Sequence, residues 1–386
     1  MEASSTNLLS AFLPPLEGAY TQSLGPYHEA LPGPMRLHLV LSPARSSSPR
    51  GWTVQISEAQ LELGYNHVGL EERAYEGLEW DDGLRLVESL CGCCSQANTL
   101  AFVQAVEAMG NMIVPTRATY LRLALIEAER IISHLLNGAE TLDALGLAEM
   151  AAPLRDLRER AIHTWSEWTE ARAQPGLIAY GGLSRNIDEA SARSLILASR
   201  SMERALRARV TSIINNKEVS GRLVGLGVVK AHEAALVGLR GPNVRGSGIA
   251  KDIRATFPTG AYQDEGVTIV SQRGGDAFAR LVVRLLECLE SLRIIEQALN
   301  DLPGGAVKGR GNIEMRPGSG IGRIEGPRGE VFCWTRGDQK QLSGLHLSGG
   351  SSPALSIVPG LLKGHRLEDL RLILLSLDIC LASAER

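Results

Sequence analysis

The most regular feature of the chain is a helical pattern of apolar residues in its middle. After Pro115 and Thr116, apolar side chains recur at three- and four-residue spacing, at Leu121, Leu125, Ile131, Ile132, Leu135 and Leu136. This periodicity predicts an amphipathic helix that ends at Asn137–Gly138, because glycine often follows the last turn of a helix. Similar patterns predict helices over about 95–109, 155–173, 188–209 and 276–300. Long amphipathic helices bury their apolar faces against one another, so the region predicts a helix bundle.

The beginning of the chain shows the alternation that is typical of strands. Leu37, Leu39 and Leu41 alternate with other residues, and the polar segment 46–50 precedes a second strand-like run at 53–56. These runs predict two short strands joined by a hairpin-like loop. A helical stretch is predicted from Gly69 onwards.

The end of the chain is rich in glycine and predicts small β elements. Strand candidates lie at 322–325 and 330–334, and a short helix is predicted over 366–375. The predicted fold class is therefore mainly α with small β pieces (α+β). We interpret residues 1–386 as a single domain with three parts: an N-terminal β-containing part (1–90), a helical bundle (91–303), and a C-terminal β-containing part (304–386) that returns Cys380 to the core.

Charge and composition exclude several classes of protein. Lys and Arg number 40 against 43 Asp and Glu, a net charge of −3 without a basic cluster, so nucleic acid is not an expected partner. No apolar run reaches the roughly 18 residues that a membrane-spanning helix requires. The N-terminus lacks the basic flank and cleavage site of a signal peptide. We therefore expect a cytoplasmic chain that can sit on a membrane partner.

Cysteine is concentrated in one short segment. Cys91 and Cys94 have the C-x-x-C spacing that lets two sulfurs face one metal, with Gly92 and Cys93 between them. Ser95 is the predicted N-cap of the next helix, whose positive N-terminal end favours a thiolate at Cys94. The spacing indicates metal or redox chemistry, and buried inert cysteines are the alternative.

A second, incomplete motif lies near the end of the chain. Cys380 is followed three residues later by Ser383, where a second C-x-x-C would have a cysteine. Soft metals prefer thiolates, whereas a serine hydroxyl stays protonated and ligates poorly. On its own pattern, Cys380 is more typical of a core cysteine.

Segments in a fixed order along nearly the whole chain carry a family resemblance. They include GPYH (25–28), GYNHVGLE (64–71), the cysteine motif (91–94), RATYLR (117–122), GGLSR (181–185), GPNVRGSG (241–248), PRGE (327–330) and LKGH (362–365). With these motifs the chain resembles the large subunits of membrane-bound, energy-converting nickel–iron hydrogenases and their relative, the 49 kDa-type quinone-site subunit of respiratory complex I (NADH-quinone oxidoreductase). The resemblance implies a hydrogenase large-subunit-like fold with a central bundle of long helices, an N-terminal β-hairpin subdomain and short C-terminal strands.

The resemblance also implies which residues would hold a metal. In the hydrogenases two C-x-x-C pairs bind nickel, and two of the four thiolates bridge to iron. Cys91, Cys94 and Cys380 match three of these positions, and Ser383 stands at the fourth. An arginine, a histidine and a proton-relaying glutamate of the family are also replaced, by Ser89, Asn98 and Gly33 respectively.

These departures predict that nickel–iron hydrogen chemistry is lost. The chain also ends at Arg386, without the tail that a maturation protease removes after nickel insertion. We expect the three cysteines to meet in one pocket that holds zinc or iron, forms a redox-active disulfide, binds a sulfur substrate or is vestigial. Cys93 is a candidate fourth thiol.

The quinone site of complex I is matched only in part. His28 matches the first histidine of its β-hairpin loop, but the second histidine and the quinone-binding tyrosine fall at Pro32 and Gly92. The length of the C-terminus resembles that of the complex I protein. Quinone reduction with non-standard contacts is therefore an alternative to a modified thiol site, with His28 as a candidate pocket residue.

The resemblance further implies a place in a larger assembly. We expect a peripheral-arm core subunit on the cytoplasmic face of the cell membrane, paired with an iron–sulfur small subunit that carries a 4Fe–4S cluster. Other peripheral-arm subunits and antiporter-like membrane subunits would complete the complex and couple electron transfer to ion translocation. Another alternative is a non-catalytic structural and coupling scaffold.

Three carboxylates match the route by which the family moves protons or ions toward the membrane. They are Glu71, Glu107 and Glu129. The alternative is that these glutamates are solvated or paired with arginines such as Arg73 or Arg130.

Overall fold

A computed structural model describes residues 18–45, 52–172, 176–309 and 316–386. The predicted polar turn at 46–50 and the N-terminal segment considered for a signal peptide lie outside these residues. The predicted fold class is confirmed: long helices predominate and the sheets are small. The division into three parts stays a prediction.

The first sheet is antiparallel and has the order β1-β2-β3. Its strands are β1 (Tyr20–Leu24), β2 (Arg36–Arg45) and β3 (Trp52–Glu62). The predicted alternation is confirmed, because Leu37, Leu39 and Leu41 are buried on one face of β2. The loop between β1 and β2, which holds the GPYH motif, comes close to the C-terminal end of the chain at Leu381.

The helical stretch predicted from Gly69 is broken in two. It consists of α1 (Leu70–Glu76), the short strand β4 (Leu78–Glu79) and α2 (Trp80–Ser89). The break lies at Gly77, whose φ of 98° is not helical. After the cysteines, α3 (Ser95–Gly110) begins one residue earlier than predicted, because Cys94 is its N-cap and Ser95 already belongs to the helix.

The bundle is built from four long helices: α4 (Thr116–Ala144), α5 (Ala148–Thr169), α6 (Glu189–Ile214) and α12 (Ala277–Asn300). The short strands β5 (Ile178–Ala179) and β6 (Gly182–Leu183) lie between α5 and α6. α4 packs against α5 and α12, and α6 packs against α12. The predicted end of α4 at Gly138 is wrong. The absence of a side chain at Gly138 allows close packing instead, since a Cβ there would lie 3.2 Å from Leu154.

Short helices join α6 to α12. They are α7 (Lys217–Leu223), α8 (Ala231–Leu236), α9 (Gly241–Gly246), α10 (Ile253–Thr256) and α11 (Tyr262–Glu265). The Asp276 side chain accepts a hydrogen bond from Ala279 N and caps α12. The predicted helix over 276–300 is therefore confirmed to within one residue.

The second sheet draws its strands from distant parts of the sequence. β7 (Gly318–Gly326), β8 (Gly329–Gly337) and β9 (Gln341–Ser348) form a meander, and β4 pairs with β9. The glycines of β7 let α3 approach closely, because a Cβ on Gly320 or Gly322 would lie 1.9 Å from a carbonyl oxygen of α3. The contact requires glycine at these two positions of the glycine-rich region.

The chain ends in contact with its N-terminal part. α13 (Ser351–Leu362), a 3₁₀ turn (Leu367–Asp369), α14 (Leu370–Leu377) and α15 (Leu381–Ala384) follow the second sheet. The Glu385 carboxylate accepts hydrogen bonds from Gly64 N and Asn66 N at 2.9 and 2.6 Å. Among the residues that the structure describes, no helix combines the length and the apolar character needed to cross a membrane.

Candidate functional site

The cysteines that match the family motif lie at the ends of helices. Cys91 lies between α2 and α3, Cys94 immediately precedes α3, and Cys380 immediately precedes α15. Between α14 and α15 the chain turns at Asp378, whose φ of 52° is left-handed, a conformation that Asp tolerates better than most residues. This turn brings Cys380 back to the N-terminal cysteines across the whole length of the sequence.

The three thiols form one compact group. The Sγ atoms of Cys91, Cys94 and Cys380 all lie within 4.8 Å of one another. The Sγ atoms of Cys91 and Cys380 are 3.2 Å apart. The Ser383 hydroxyl oxygen lies 3.2 Å from Cys94 Sγ and 3.4 Å from Cys380 Sγ. The structure therefore brings the three predicted cysteines together with Ser383 at the fourth corner, and their role stays a prediction.

Cys93 does not join this group. Its thiol is half-buried and lies outside the set of mutually adjacent sulfurs, so the idea of Cys93 as the fourth thiol is wrong. Its backbone N–H instead donates to Cys91 Sγ at 3.3 Å. Asn98 lies one turn into α3 and its amide nitrogen is 3.9 Å from Cys94 Sγ.

One cation beside the thiols was not among the predicted site residues. Arg328 donates from Nε and Nη2 to the backbone and side chain of Asp378, each at 2.9 Å. Its Nη1 is buried and has no hydrogen-bond partner among the described residues. The PRGE segment, which belongs to the resemblance, was the signal that could have pointed to Arg328.

The thiols have different electrostatic environments. Hydrogen bonds with Cys91 and Cys94, together with the Arg328 charge, hold the pKa of Cys380 far below its usual range. The hydrogen bond with Cys380 raises the pKa of Cys91 to about 12. Hydrogen bonds and complete burial raise the pKa of Cys94 as well. These directions favour a thiolate at Cys380 and oppose the thiolate that the start of α3 predicted at Cys94.

The donor set does not fit a nickel–iron centre. Such a centre requires two pairs of thiolates, and the Ser383 hydroxyl occupies one of the four corners. For zinc, a tetrahedral ion with Zn–S bonds of about 2.3 Å would hold its sulfurs about 3.8 Å apart. The Cys91–Cys380 pair is closer than this at 3.2 Å, so a zinc ion would have to push the two sulfurs apart. Zinc or iron at this site stays a prediction.

The predicted loop residues lie beside the group rather than in it. His28 is exposed, and its Nδ1 accepts a hydrogen bond from Ala30 N at 3.1 Å. Gly33 is closer to the cysteines, because a Cβ at this position would lie 3.2 Å from Leu381, the residue after Cys380. A Cβ on Gly92 would meet no atom within 4 Å. The position that matches the quinone-binding tyrosine is therefore open space.

The three predicted coupling glutamates lie in different environments. Glu107 is buried and forms a two-pronged ion pair with Arg122, at 3.0 and 2.6 Å. Glu71 accepts a hydrogen bond from Arg386 at 2.8 Å. Both glutamates are therefore paired with arginines, as the alternative expects, although the partners are Arg122 and Arg386 and not Arg73 or Arg130.

Glu129 contacts the start of α3, the helix that follows Cys94. Its carboxylate accepts hydrogen bonds from Gln96 N and Ala97 N, at 2.7 and 3.0 Å, in the first turn of α3. Burial raises the pKa of Glu129 to about 7, so this carboxyl can exchange a proton near neutral pH. Arg130 forms its ion pair with Glu127 and not with Glu129.

Comparisons with known proteins identify the family. Residues 145–316 match the family described as respiratory-chain NADH dehydrogenase, 49 Kd subunit. A component of the F420H2 dehydrogenase of Methanosarcina mazei is 30% identical over 372 residues, which cover 94% of this chain and 96% of that relative. The chain belongs to the 49 kDa subunit family.

Other members of this family confirm the hydrogenase side of the resemblance. The alpha subunit of the membrane-bound hydrogenase of Pyrococcus furiosus is 30% identical over 384 residues, covering 94% of this chain and 86% of that protein. A chain in the structure of the membrane-bound sulfane sulfur reductase, an archaeal respiratory membrane complex, superposes with a TM-score of 0.86 at 25% identity. The match covers 97% of this chain and 100% of that one. The family thus includes subunits of several different oxidoreductase complexes.

Proposed function

We propose that this chain is the core subunit of the peripheral arm of a membrane-bound, complex-I-like oxidoreductase whose nickel–iron chemistry has been lost. In this proposal it lies on the cytoplasmic face of the membrane and pairs with an iron–sulfur small subunit. Antiporter-like membrane subunits would then couple the electron transfer to ion translocation. The observation that carries the proposal is the meeting of Cys91, Cys94 and Cys380 in one pocket without a fourth thiol.

The reaction that this pocket supports best is the reduction of a sulfane sulfur compound. Two thiols at 3.2 Å can together supply two electrons to a sulfur–sulfur bond. The neighbouring Arg328 charge favours the anionic sulfur species that such a reaction releases. The structural relative named as a sulfane sulfur reductase supports the same substrate class.

Quinone reduction is less well supported by the loop geometry. The second quinone ligand position is Pro32, which has neither a side-chain donor nor a backbone N–H. His28 is exposed and bonded within its own loop. A purely structural scaffold would not require the three thiols to lie next to one another.

The proposal is tested on the complex purified from membranes through an affinity tag on this chain. We expect an iron–sulfur subunit to co-purify, and the reduced iron–sulfur signal in electron paramagnetic resonance to disappear on addition of diethyl trisulfide. Two comparison substrates are tested separately. One is a short-chain quinone as electron acceptor, and the other is hydrogen as electron donor, with a redox dye as its acceptor. Oxidation of the iron–sulfur signal by quinone but not by the trisulfide would support the quinone alternative. Hydrogen uptake would contradict the loss of nickel–iron chemistry. A complex that reacts with none of the three substrates would support the scaffold.

A further inference from the structure

We infer that Cys91 and Cys380 form a two-electron thiol–disulfide couple in which Cys380 attacks the substrate and Cys91 resolves the intermediate, while Cys94 stays outside the couple. The inference rests on the proposed function, because it assigns separate roles to the thiols of the same pocket. It goes further in naming which of three adjacent sulfurs forms the covalent bond.

One pair of sulfurs is close enough to form a bond after a small movement. Cys91 Sγ and Cys380 Sγ are 3.2 Å apart, and a disulfide bond is about 2.05 Å long, so the pair must close by about 1.2 Å. Both residues lie outside helices, in short connecting segments, where the backbone can adjust. Cys94 also precedes a helix, but its sulfur is 3.9 Å from the Asn98 amide nitrogen and its carbonyl accepts the first hydrogen bond of α3 from Asn98 N, so α3 holds it at both groups.

Exposure decides which member of the pair meets the substrate. Cys380 is partly exposed, whereas Cys91 and Cys94 are 7% and 4% exposed. A substrate that approaches from solvent therefore meets Cys380 before the two more deeply buried thiols. Cys91 is buried, and its sulfur lies 3.2 Å from that of Cys380, which is the position of a resolving thiol.

Ser383 limits which thiol can form a disulfide with Cys380. Its oxygen lies 3.4 Å from Cys380 Sγ, three residues along the chain. A cysteine at this position would compete with Cys91 for the sulfur of Cys380 by closing a C-x-x-C disulfide. A hydroxyl cannot form that bond, so Cys91, at 3.2 Å, stays available as the partner of Cys380.

The two steps balance in atoms and electrons. The Cys380 thiolate attacks one sulfur of a substrate R–S–S–R′, the substrate S–S bond breaks, and R–S⁻ leaves and takes up a proton. This leaves a mixed disulfide between Cys380 and S–R′. Cys91 then attacks Cys380 Sγ, the bond to S–R′ breaks, and R′–S⁻ leaves with the proton that Cys91 gives up. Two electrons pass from the two sulfurs to the substrate. Two electrons from the iron–sulfur partner and one proton then restore the Cys380 thiolate and the Cys91 thiol.

The test traps the intermediate on the purified complex. Diethyl trisulfide is added to the reduced complex, free thiols are alkylated, and the peptides are mapped by mass spectrometry. In the unmodified protein we expect a Cys91–Cys380 disulfide. In Cys91→Ala the mixed disulfide should accumulate on Cys380, and in Cys380→Ala both species should be lost. Cys94→Ala should retain the Cys91–Cys380 bond, and Cys333→Ala, in the buried second sheet, should behave as the unmodified protein.

Two results would overturn the inference. One is a disulfide that links Cys94 to either of the other thiols in the unmodified complex. The other is oxidation of the iron–sulfur signal by the trisulfide at an unchanged rate in Cys380→Ala. The second result leaves the proposed function standing without the couple. A trapped adduct without oxidation of the iron–sulfur signal would contradict the proposed function while the thiol assignments stand.

Discussion

Replacing Ser383 by cysteine tests whether one missing thiol is what separates this pocket from a four-thiolate metal site. The Ser383 oxygen lies 3.2 Å from Cys94 Sγ and 3.4 Å from Cys380 Sγ. A cysteine on the same backbone would therefore place a fourth sulfur beside the other three. We expect Ser383→Cys to bind zinc much more tightly than the unmodified protein.

The size of the effect follows from the ligand count and the geometry. Zinc sites with four protein ligands contribute about 10–16 kcal/mol, or about 2.5–4 kcal/mol for each ligand. Moving the sulfurs of Cys91 and Cys380 from 3.2 Å to the roughly 3.8 Å of a zinc tetrahedron offsets part of this binding free energy. The lower end of the range corresponds to a dissociation constant about 10²-fold smaller.

The assay is competition between the reduced, purified complex and a chromogenic zinc chelator. Ser383→Ala is the matched control, because it removes the hydroxyl without adding a ligand, and it should bind zinc no more tightly than the unmodified protein. Equal zinc affinities for Ser383→Cys and Ser383→Ala would show that position 383 does not face the three sulfurs, and would refute the reasoning.

Three further predictions concern the buried charges and the close packing around the site. Glu127→Ala leaves the buried Arg130 and Arg254 without their shared carboxylate and should cost about 3–5 kcal/mol, seen as a lower melting temperature of the complex. Burial raises the pKa of Glu129 from 4.5 to about 7. The native state therefore holds this proton more tightly than the unfolded state. The free energy of unfolding should fall by about 3 kcal/mol as the pH rises from 4.5 to 7. Glu129→Gln should flatten this fall in melting temperature between those pH values. Gly320→Ala would place a Cβ 1.9 Å from the Ala105 carbonyl oxygen and should destabilise the complex by about 1–3 kcal/mol in the same assay.

Each of these predictions has a control or a contradicting result. Glu203→Ala breaks an exposed ion pair with Arg207 and should cost only about 0.3–0.5 kcal/mol; an equal loss for Glu127→Ala would contradict a buried charge effect. An unchanged pH dependence in Glu129→Gln would assign the titration to another group. Gly360→Ala places its Cβ in open space, so Gly320→Ala should be the less stable of the two.

Local sequence signals predicted most starts of the long helices to within one residue, although α5 begins at Ala148 and not near residue 155. Asp276 caps α12 as its residue type predicts, because its carboxylate accepts a hydrogen bond from Ala279 N. The predicted end of α4 failed because Gly138 fits a close helix contact and not a helix terminus. The sequence alone does not distinguish a glycine that ends a helix from one that allows close helix packing. Only the neighbouring helix in the structure does.

Long-range pairing was harder to predict. The strand Gln341–Ser348 and its pairing with Leu78–Glu79 were missed, because two residues give no periodicity of their own. The convergence of the cysteines likewise followed from the family resemblance and not from the residue pattern, since Cys380 alone looked like a core cysteine. The two features that local patterns missed at the site were Arg328, which lies in a loop between two strands, and the separation of Cys93 from its neighbours.

The most direct test of a three-thiol pocket without a nickel–iron centre is a cryo-EM map of the membrane complex that contains this chain. We predict the sulfurs of Cys91, Cys94 and Cys380 within 4.8 Å of one another, with the Ser383 hydroxyl completing the group and no two-metal density among them. A two-metal centre bound at this position, or a Cys380 sulfur far from Cys91, would contradict this prediction.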